Sequence, residues 1–366
     1  MVVARTAEAS LTGRSGVEAG PWPSGHGRWP VLAALALAVL GAVTLDLVTG
    51  TVRVPVMEVI RILVRGEAAN PAHVDVIMQV RLPRAVTALV GGAALACGGL
   101  ILQTLFRNPL AGPWALGITS GARLGVAFVV VSAAALGTNV FVNLGALGNL
   151  GLAGGAFLGS AVVVVLVSAI ARRATGVSLL IVGLMIYYLA DALTGVVLHF
   201  TSVEQVRVFV EWSDGSFHTA SVGQLAVLVP VVCIGLAGAF ALAKPLDSFV
   251  LGDQYAKSLG IHLARTRVAA LSAMIALAGT VTAYCGPLMF LDIAVPHLCR
   301  GVMKTSGHRL LIPATALVGA FIAVTADTIV HLPWERHVLH LNYVNSLIGA
   351  PVVLWVTLRH RGARVS

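Results

Sequence analysis

The strongest constraint on this chain is a succession of apolar runs that carry almost no charge. They are Val31–Val48, Ala85–Phe106, Trp114–Leu136, Leu152–Ala171, Leu179–Phe200, Val222–Ala243, Val268–Tyr284, Leu288–Met303, Leu310–Val330 and Tyr343–Leu358. A helix rising ~1.5 Å per residue needs ~20 residues to cross ~30 Å of hydrocarbon, and most of these runs approach that length. The eighth and tenth are short and interrupted by proline, which predicts broken or tilted helices. Of the 366 residues, 58% are hydrophobic and 11% are charged. An ordinary soluble domain carries ~25% charged residues, so this composition cannot clothe a water-soluble core. A cytosolic enzyme, a disordered chain and a secreted disulfide scaffold are thereby excluded. The expected fold is an all-α, polytopic transmembrane helical bundle of about ten spans, with both termini on one side of the membrane.

Charge assigns that side. With the N-terminus inside, 16 of the 24 Lys and Arg residues fall in inside segments, which favours cytoplasmic termini. Arg123 lies within a span, and the loop between the first two spans breaks the trend with five arginines, Arg53, Arg61, Arg65, Arg81 and Arg84. The cations are scattered, not gathered into an aromatic-interleaved stripe, so no nucleic-acid partner is expected. Residues 1–30, rich in Gly, Ser, Pro and Arg, read as a flexible cytoplasmic tail, and residues 361–366 as a short cytoplasmic tail. No small-x-small cleavage site follows the first run, which is therefore read as a retained helix. Cys97, Cys233, Cys285 and Cys299 lie in apolar stretches without a CxxC pair and are expected to be small buried hydrophobes. Glycines within spans, among them Gly91, Gly92, Gly98 and Gly99, then Gly183 and Gly195, point to closely packed helices.

The sequence lacks the GxxxxGK[ST] phosphate loop and also HExxH, GxSxG and EF-hand patterns. No catalytic residue and no metal ligand are assigned, and uphill transport would draw its energy from a partner or an ion gradient. The most informative polar segment is Leu246–Gly260. Gly252, Ala256 and Gly260 recur every four residues along one helical face, and Asp253 and Lys257 are spaced as an i,i+4 ion pair. Gly260 suits a left-handed cap. A short helix with a flat small-residue face can dock in a groove of another protein; an ordinary capped loop helix has the same spacing. Phe106–Pro113 is a turn restricted by two prolines, with Asn108 before Pro109 biased away from helix. Gly286–Arg300 places two prolines and His297 in a span, and Leu347–Pro351 opens the last one.

Six segments occur in one order: Arg81-Leu-Pro-Arg84, Arg107-Asn-Pro-Leu-Ala111, Leu116-Gly-Ile-Thr-Ser-Gly121, Leu251–Gly260, Val295-Pro-His-Leu-Cys-Arg300 and Leu347-Ile-Gly-Ala-Pro351. With them the chain resembles the permease subunits of the FecCD family, ABC importers for iron(III)-siderophores, haem and cobalamin, over about residues 31–360. The resemblance implies ten spans and a non-catalytic permease in a bacterial cell membrane that rocks by alternating access. Its partners would be a second permease, identical or homologous, two ATPase subunits that hold ATP and Mg, and an extracytoplasmic binding protein. The cargo would be an iron-siderophore-like chelate, with no cofactor in this chain. Within the coupling helix, about residues 247–260, Gly252, Asp253, Ala256, Lys257, Leu259 and Gly260 would meet the ATPase. Asn108, Leu110, Thr175 and Gly176 would form the cytoplasmic gate. Arg81, Arg84 and Arg336 would face carboxylates of the binding protein, which accounts for the outside arginine excess. The fifth and tenth spans would line the path.

The chain departs from the family pattern at several positions. The family usually has Asp at the position of Gly112 and Gly at those of Trp114, Met289 and Asp292, and Arg123 replaces a small residue. A Pro-Val-Gly-x-x-Thr run is replaced by His340–Asn345, so Asp292, Asn342 and Asn345 are candidate lumen residues. Intramembrane acids generally mark ion paths or buried pairs. Asp327 and His297 stand where the family has the same residues, and structural pairing is expected there. Asp191 and Asp292 leave one alternative, a proton-coupled secondary transporter.

Overall fold

The computed structural model describes residues 28–68, 70–135, 146–171, 176–218, 222–332 and 339–362, and all regular structure among them is helical. In chain order the helices are α1 (Trp29–Val48), amphipathic α2 (Val56–Arg65) and α3 (Pro71–Leu105), which includes a π turn at Val76–Arg81. Next come α4 (Ile118–Ala135), α5 (Ala146–Ala171), α6 (Gly176–His199), α7 (Val203–Ser213) and α8 (Val222–Ala241). Two short helices, α9 (Ala243–Leu251) and α10 (Asp253–Ser258), precede α11 (Leu263–Cys285), which has its own π turn at Ile275–Gly279. The chain closes with α12 (Leu291–Met303), α13 (His308–Val330) and α14 (Leu341–Gly362).

Seven helical segments are long and apolar enough to span a membrane, in α1, α3, α5, α6, α8, α11 and α13; Ile118–Ser132 and Leu341–Leu354 are shorter apolar helices. The expected eighth run yields the 13-residue α12, with Pro296 inside it. The expected third span starts four residues late, at Ile118, because Pro113 and the positive φ of Gly117 (+74°) hold the preceding residues in turns. The arginine-rich loop between the first two spans is helical. In α2, Val59 and Ile62 are buried, and Gly66 at φ +71° ends the helix with its N–H on the Ile62 carbonyl. After α6, a capping box of Ser202 and Gln205 starts α7, which buries Phe209 and Trp212. Cys97, Cys285 and Cys299 are buried as expected, whereas Cys233 is exposed.

The centre of the bundle is α3, 83% buried over its apolar window, against 17% for α6. It contacts α1, α8, α11, α12 and α13. Such crowding is possible because its side chains vanish where neighbours cross. A Cβ added at Gly92 would lie 2.3 Å from the Gly319 carbonyl oxygen on α13, and one at Gly99 would lie 1.8 Å from the Asp292 carbonyl oxygen on α12. A second close pair joins α4 and α5, where Gly121 and Gly125 meet Gly155 and Gly159 backbone to backbone. Lipid supplies no hydrophobic drive between helices, so such close approach, with its dispersion gain, holds the bundle together. Gly99→Ala is expected to lower stability by about 1–3 kcal/mol, the usual cost of overpacking. Gly154→Ala, which meets nothing within 4 Å, should not. Thermal unfolding of the two variants in detergent is the comparison.

Candidate functional site

Polar side chains inside this bundle gather at its two ends and at one point on α6. At the end where α1 and α13 finish and α3 begins, Arg84 is buried between two carboxylates: its Nε lies 2.7 Å from Asp327 Oδ2 and its Nη2 3.2 Å from Asp46 Oδ1. The Thr328 hydroxyl donates to Asp46 at 3.2 Å. Arg81, also buried, donates to the carbonyls of Leu47 (2.8 Å), Val48 (3.1 Å) and Val52. It thereby satisfies acceptors that the end of α1 leaves without helical partners. Just beyond α13, burial, with the Arg84 charge adding, pushes the His331 imidazole down to about 4, so it is neutral near pH 7.

This corrects the expectation that Arg81 and Arg84 present their charges to another protein. They are 4% and 5% exposed and are spent on partners within the chain. Asp327 is structurally paired, as its position suggested; Asp46, which completes the cluster, went unnoticed in the sequence because it falls near the end of a continuous apolar run. Arg336 lies outside the described residues.

At the opposite end, the Leu246–Gly260 segment is two helices meeting at Gly252 (φ +112°), not one helix with a continuous small-residue face. Gly252 is the break, Ala256 is fully buried within the chain, and the exposed apolar side chains are Val250, Leu251, Tyr255 and Leu259. Gly260 does adopt the left-handed cap at φ +77°, with its N–H on Lys257 O and the Ile261 N–H on Ala256 O. Asp253 pairs with Arg267 (2.7 Å) and Arg107 (3.7 Å), not with Lys257, because α10 is short and folds back towards α11 and the turn after α3. Asp247 anchors α9: its Oδ1 accepts from the His308 N–H (2.8 Å) and contacts His308 Nδ1 (2.6 Å), while His308 Nε2 is 2.8 Å from Thr104 Oγ1 on α3.

The turn after α3 carries Arg107 at φ +46°, Asn108, whose Oδ1 accepts from the Leu110 N–H (2.9 Å), and half-exposed Leu110. His297 of α12 contacts the Pro109 carbonyl at 2.8 Å, and Arg300 donates to Gln103 Oε1 at 2.6 Å. Gly176 begins α6, and Thr175 lies outside the described residues.

The three candidate lumen residues are not open polar surface. Asp292 is 5% exposed, and its Oδ2 lies 2.3 Å from where a Cβ on Gly112 would be. The Asp292 carboxylate therefore fills, from α12, the volume that a side chain at Gly112 would need. Asn342 is a clasp that accepts from the Met289 N–H (3.1 Å) and donates to Asp214 O (2.9 Å) and Pro287 O (2.8 Å). Asn345 is buried, and its side-chain atoms have no hydrogen-bond partner among the described residues. Asp191, by contrast, is partly exposed on α6 and pairs with Arg123 Nη1 at 2.8 Å. Among the described residues no group of three His, Cys, Asp or Glu could hold a metal ion.

The arrangement is a closely packed core with two short helices meeting at Gly252 at one end and a buried ion cluster at the other. The model of the FecCD transport family matches residues 36–359. The chain belongs to the FecCD transport family. Among its relatives, the hemin transport system permease HmuU of Yersinia pestis is 33% identical over 303 residues, 81% of this chain and 87% of that one. The Fe(3+) dicitrate transport system permease FecD of Escherichia coli is 31% identical over 331 residues, 89% of this chain and 98% of that one. The vitamin B12 import system permease BtuC of Klebsiella pneumoniae is 33% identical over 290 residues, 78% of this chain and 83% of that one. A solved ABC transporter of the metal-chelate type in an inward-facing conformation superposes with a TM-score of 0.77 at 25% identity, covering 90% of this chain and 99% of that one. For this FecCD protein the buried ion cluster makes a sharp prediction. Arg84→Ala, which leaves two carboxylates buried and unpaired, should cost about 3–5 kcal/mol and lower the unfolding temperature in detergent. A purely external docking role would leave that temperature unchanged.

Proposed function

We propose that this chain is the permease subunit of an ATP-driven importer of metal chelates, with a ferric siderophore as cargo. Membership of the FecCD family supports it, as do relatives whose names say that they move hemin, ferric dicitrate and vitamin B12. In this reading the chain has ten spans, with α12 a short, Pro-interrupted one, and both termini are cytoplasmic in a bacterial cell membrane. It pairs with a second permease, two ATPase subunits and an extracytoplasmic binding protein. It breaks no bonds; ATP and Mg sit on the partner subunits.

The observation that carries the reading is the hinged α9–α10 segment. Its outer side offers Leu251, Tyr255 and Leu259, 64%, 47% and 56% exposed, while Leu246, Phe249 and Ala256 are buried and Asp247 and Asp253 are tied inward. An exposed apolar patch with a fixed backing suits docking in a groove. When ATP closes the partner subunits, a push on this patch reaches α13 and α3 through Asp247 and His308, and reaches the Asn108 turn through Asp253 and Arg107. Asn108 and Leu110, with Thr175 and Gly176, form the inner gate, and nucleotide shifts the balance of two conformations by its differential affinity. The proton-coupled alternative has less support, since Asp191 is already held by Arg123.

Uptake into proteoliposomes holding the whole complex should require ATP and the binding protein and should persist with a protonophore. Leu259→Asp together with Tyr255→Ala should reduce stimulated transport by at least about tenfold, with unchanged permease unfolding, because only the exposed patch is altered. Normal transport in that variant, or uptake driven by a pH difference alone, would refute the assignment.

A further inference from the structure

Helices α5 and α8 both pack against α11, and a cleft opens between them along the last turns of α11. It holds two adjoining cavities that share Ala283 and Tyr284 as lining. The deeper one, of about 370 Å³, is bounded by Leu150, Gly154 and Phe157 of α5 and by Val227 and Val231 of α8. A Cβ added at Gly154 would meet nothing within 4 Å, so that wall is bare. Leu150, Phe157 and Val227 are 45%, 41% and 47% exposed, so the cavity is open at its side and not sealed in the core. From Val222 to Val231 the helix descends about 14 Å at ~1.5 Å per residue, close to half of a ~30 Å hydrocarbon layer. The other cavity, of about 160 Å³, lies at the helix ends beside α7, where Val208, Glu211, Trp212 and buried Gln224 line it. Glu211 pairs one turn along α7 with Arg207 at 2.8 Å, and both side chains are largely exposed. The cleft therefore has two opposite charges at its head and an apolar wall through the depth of one leaflet.

We propose that this cleft binds one phospholipid bearing a primary amine, such as phosphatidylethanolamine. The inference rests on the membrane bundle and not on the importer reading; the topology proposed above places the lipid in the outer leaflet. One acyl chain lies between α5 and α8 over Gly154, where a chain without side groups enters a slot closed to a partner helix about 10 Å across. At the head, the ammonium donates to the Glu211 carboxylate, and the Arg207 guanidinium donates to the phosphate oxygens, both charge-assisted hydrogen bonds. The exposed pair of Arg207 with Glu211 is weak by itself and opens readily to admit them. Phosphatidylcholine presents the same phosphate, but its quaternary ammonium has no N–H to give Glu211.

Native mass spectrometry of the full-length chain in detergent, titrated with either lipid at matched acyl length, tests the site. One lipid should be retained per chain, phosphatidylethanolamine about tenfold more tightly than phosphatidylcholine. Glu211→Gln should lower the first affinity to the second, and Arg207→Gln should weaken both; the two side chains are exposed, so neither substitution disturbs the fold. Val227→Trp, which fills the cleft, should abolish retention of either lipid. In the unaltered chain, phosphatidylethanolamine with a photoreactive group in its acyl chain should label Gly154–Phe157 and Val227–Val231 in preference to exposed Leu37 and Leu40 of α1. Even labelling of all exposed helices, equal affinity for the two lipids, or undiminished phosphatidylethanolamine binding by Glu211→Gln overturns the site. Crosslinking of Val227→Cys to a second polypeptide in place of lipid overturns it too, by showing a protein occupant.

Discussion

Close backbone contact along α3 is the constraint on which the other features depend. In a hydrocarbon slab, helices gain nothing from hiding apolar surface from one another, and only dispersion and polar ties hold them. Gly92 and Gly99 let α13 and α12 approach until a single methyl group would collide with a carbonyl oxygen. With α3 so placed, Arg84 sits within reach of carboxylates on two other helices, and Gln103 near the other end of α3 reaches the Ile293 carbonyl of α12 at 3.3 Å. The packing positions the polar groups; the polar groups then fix the register.

Two kinds of polar tie divide the molecule. The cluster of Arg84, Asp46, Asp327 and Thr328 is almost wholly buried, and so resists sliding of α1, α3 and α13 against each other. A buried pair costs desolvation to form but costs more to break on one side. The ties at the α9–α10 end are nearer the surface: Asp253, Arg107 and Arg267 each keep about a third to a half of their side chains exposed. Such contacts are weak singly. The ion pairs of Asp253 are therefore weaker ties than the buried cluster at the opposite end, and it is His308, held between Asp247 and Thr104, that secures α9 to the core.

The long apolar helices were legible in the sequence because their length and lack of charge have one inexpensive solution. The Gly260 cap was legible for the same kind of reason, since only glycine takes that φ without strain. The segment around it was misjudged: a four-residue spacing marks one face only if the helix is continuous, and Gly252 interrupts it. Arg81 and Arg84 were misjudged as surface cations because a sequence shows charge but not what α1 and α13 bring beside it. Asp292 illustrates the same blindness, since its closeness to Gly112 joins positions far apart in the chain.

The sequence alone determined an all-helical membrane bundle, its family and the Gly260 cap, because hydropathy, length and local turn chemistry act over a few residues. The tertiary structure alone decided which partner each charge takes and how deeply the pair is buried: Arg84 between two buried carboxylates, Arg123 with half-exposed Asp191 on α6. That division follows from range, since ion pairing and desolvation depend on distances between helices, and those distances are set by glycine contacts distributed over the whole chain.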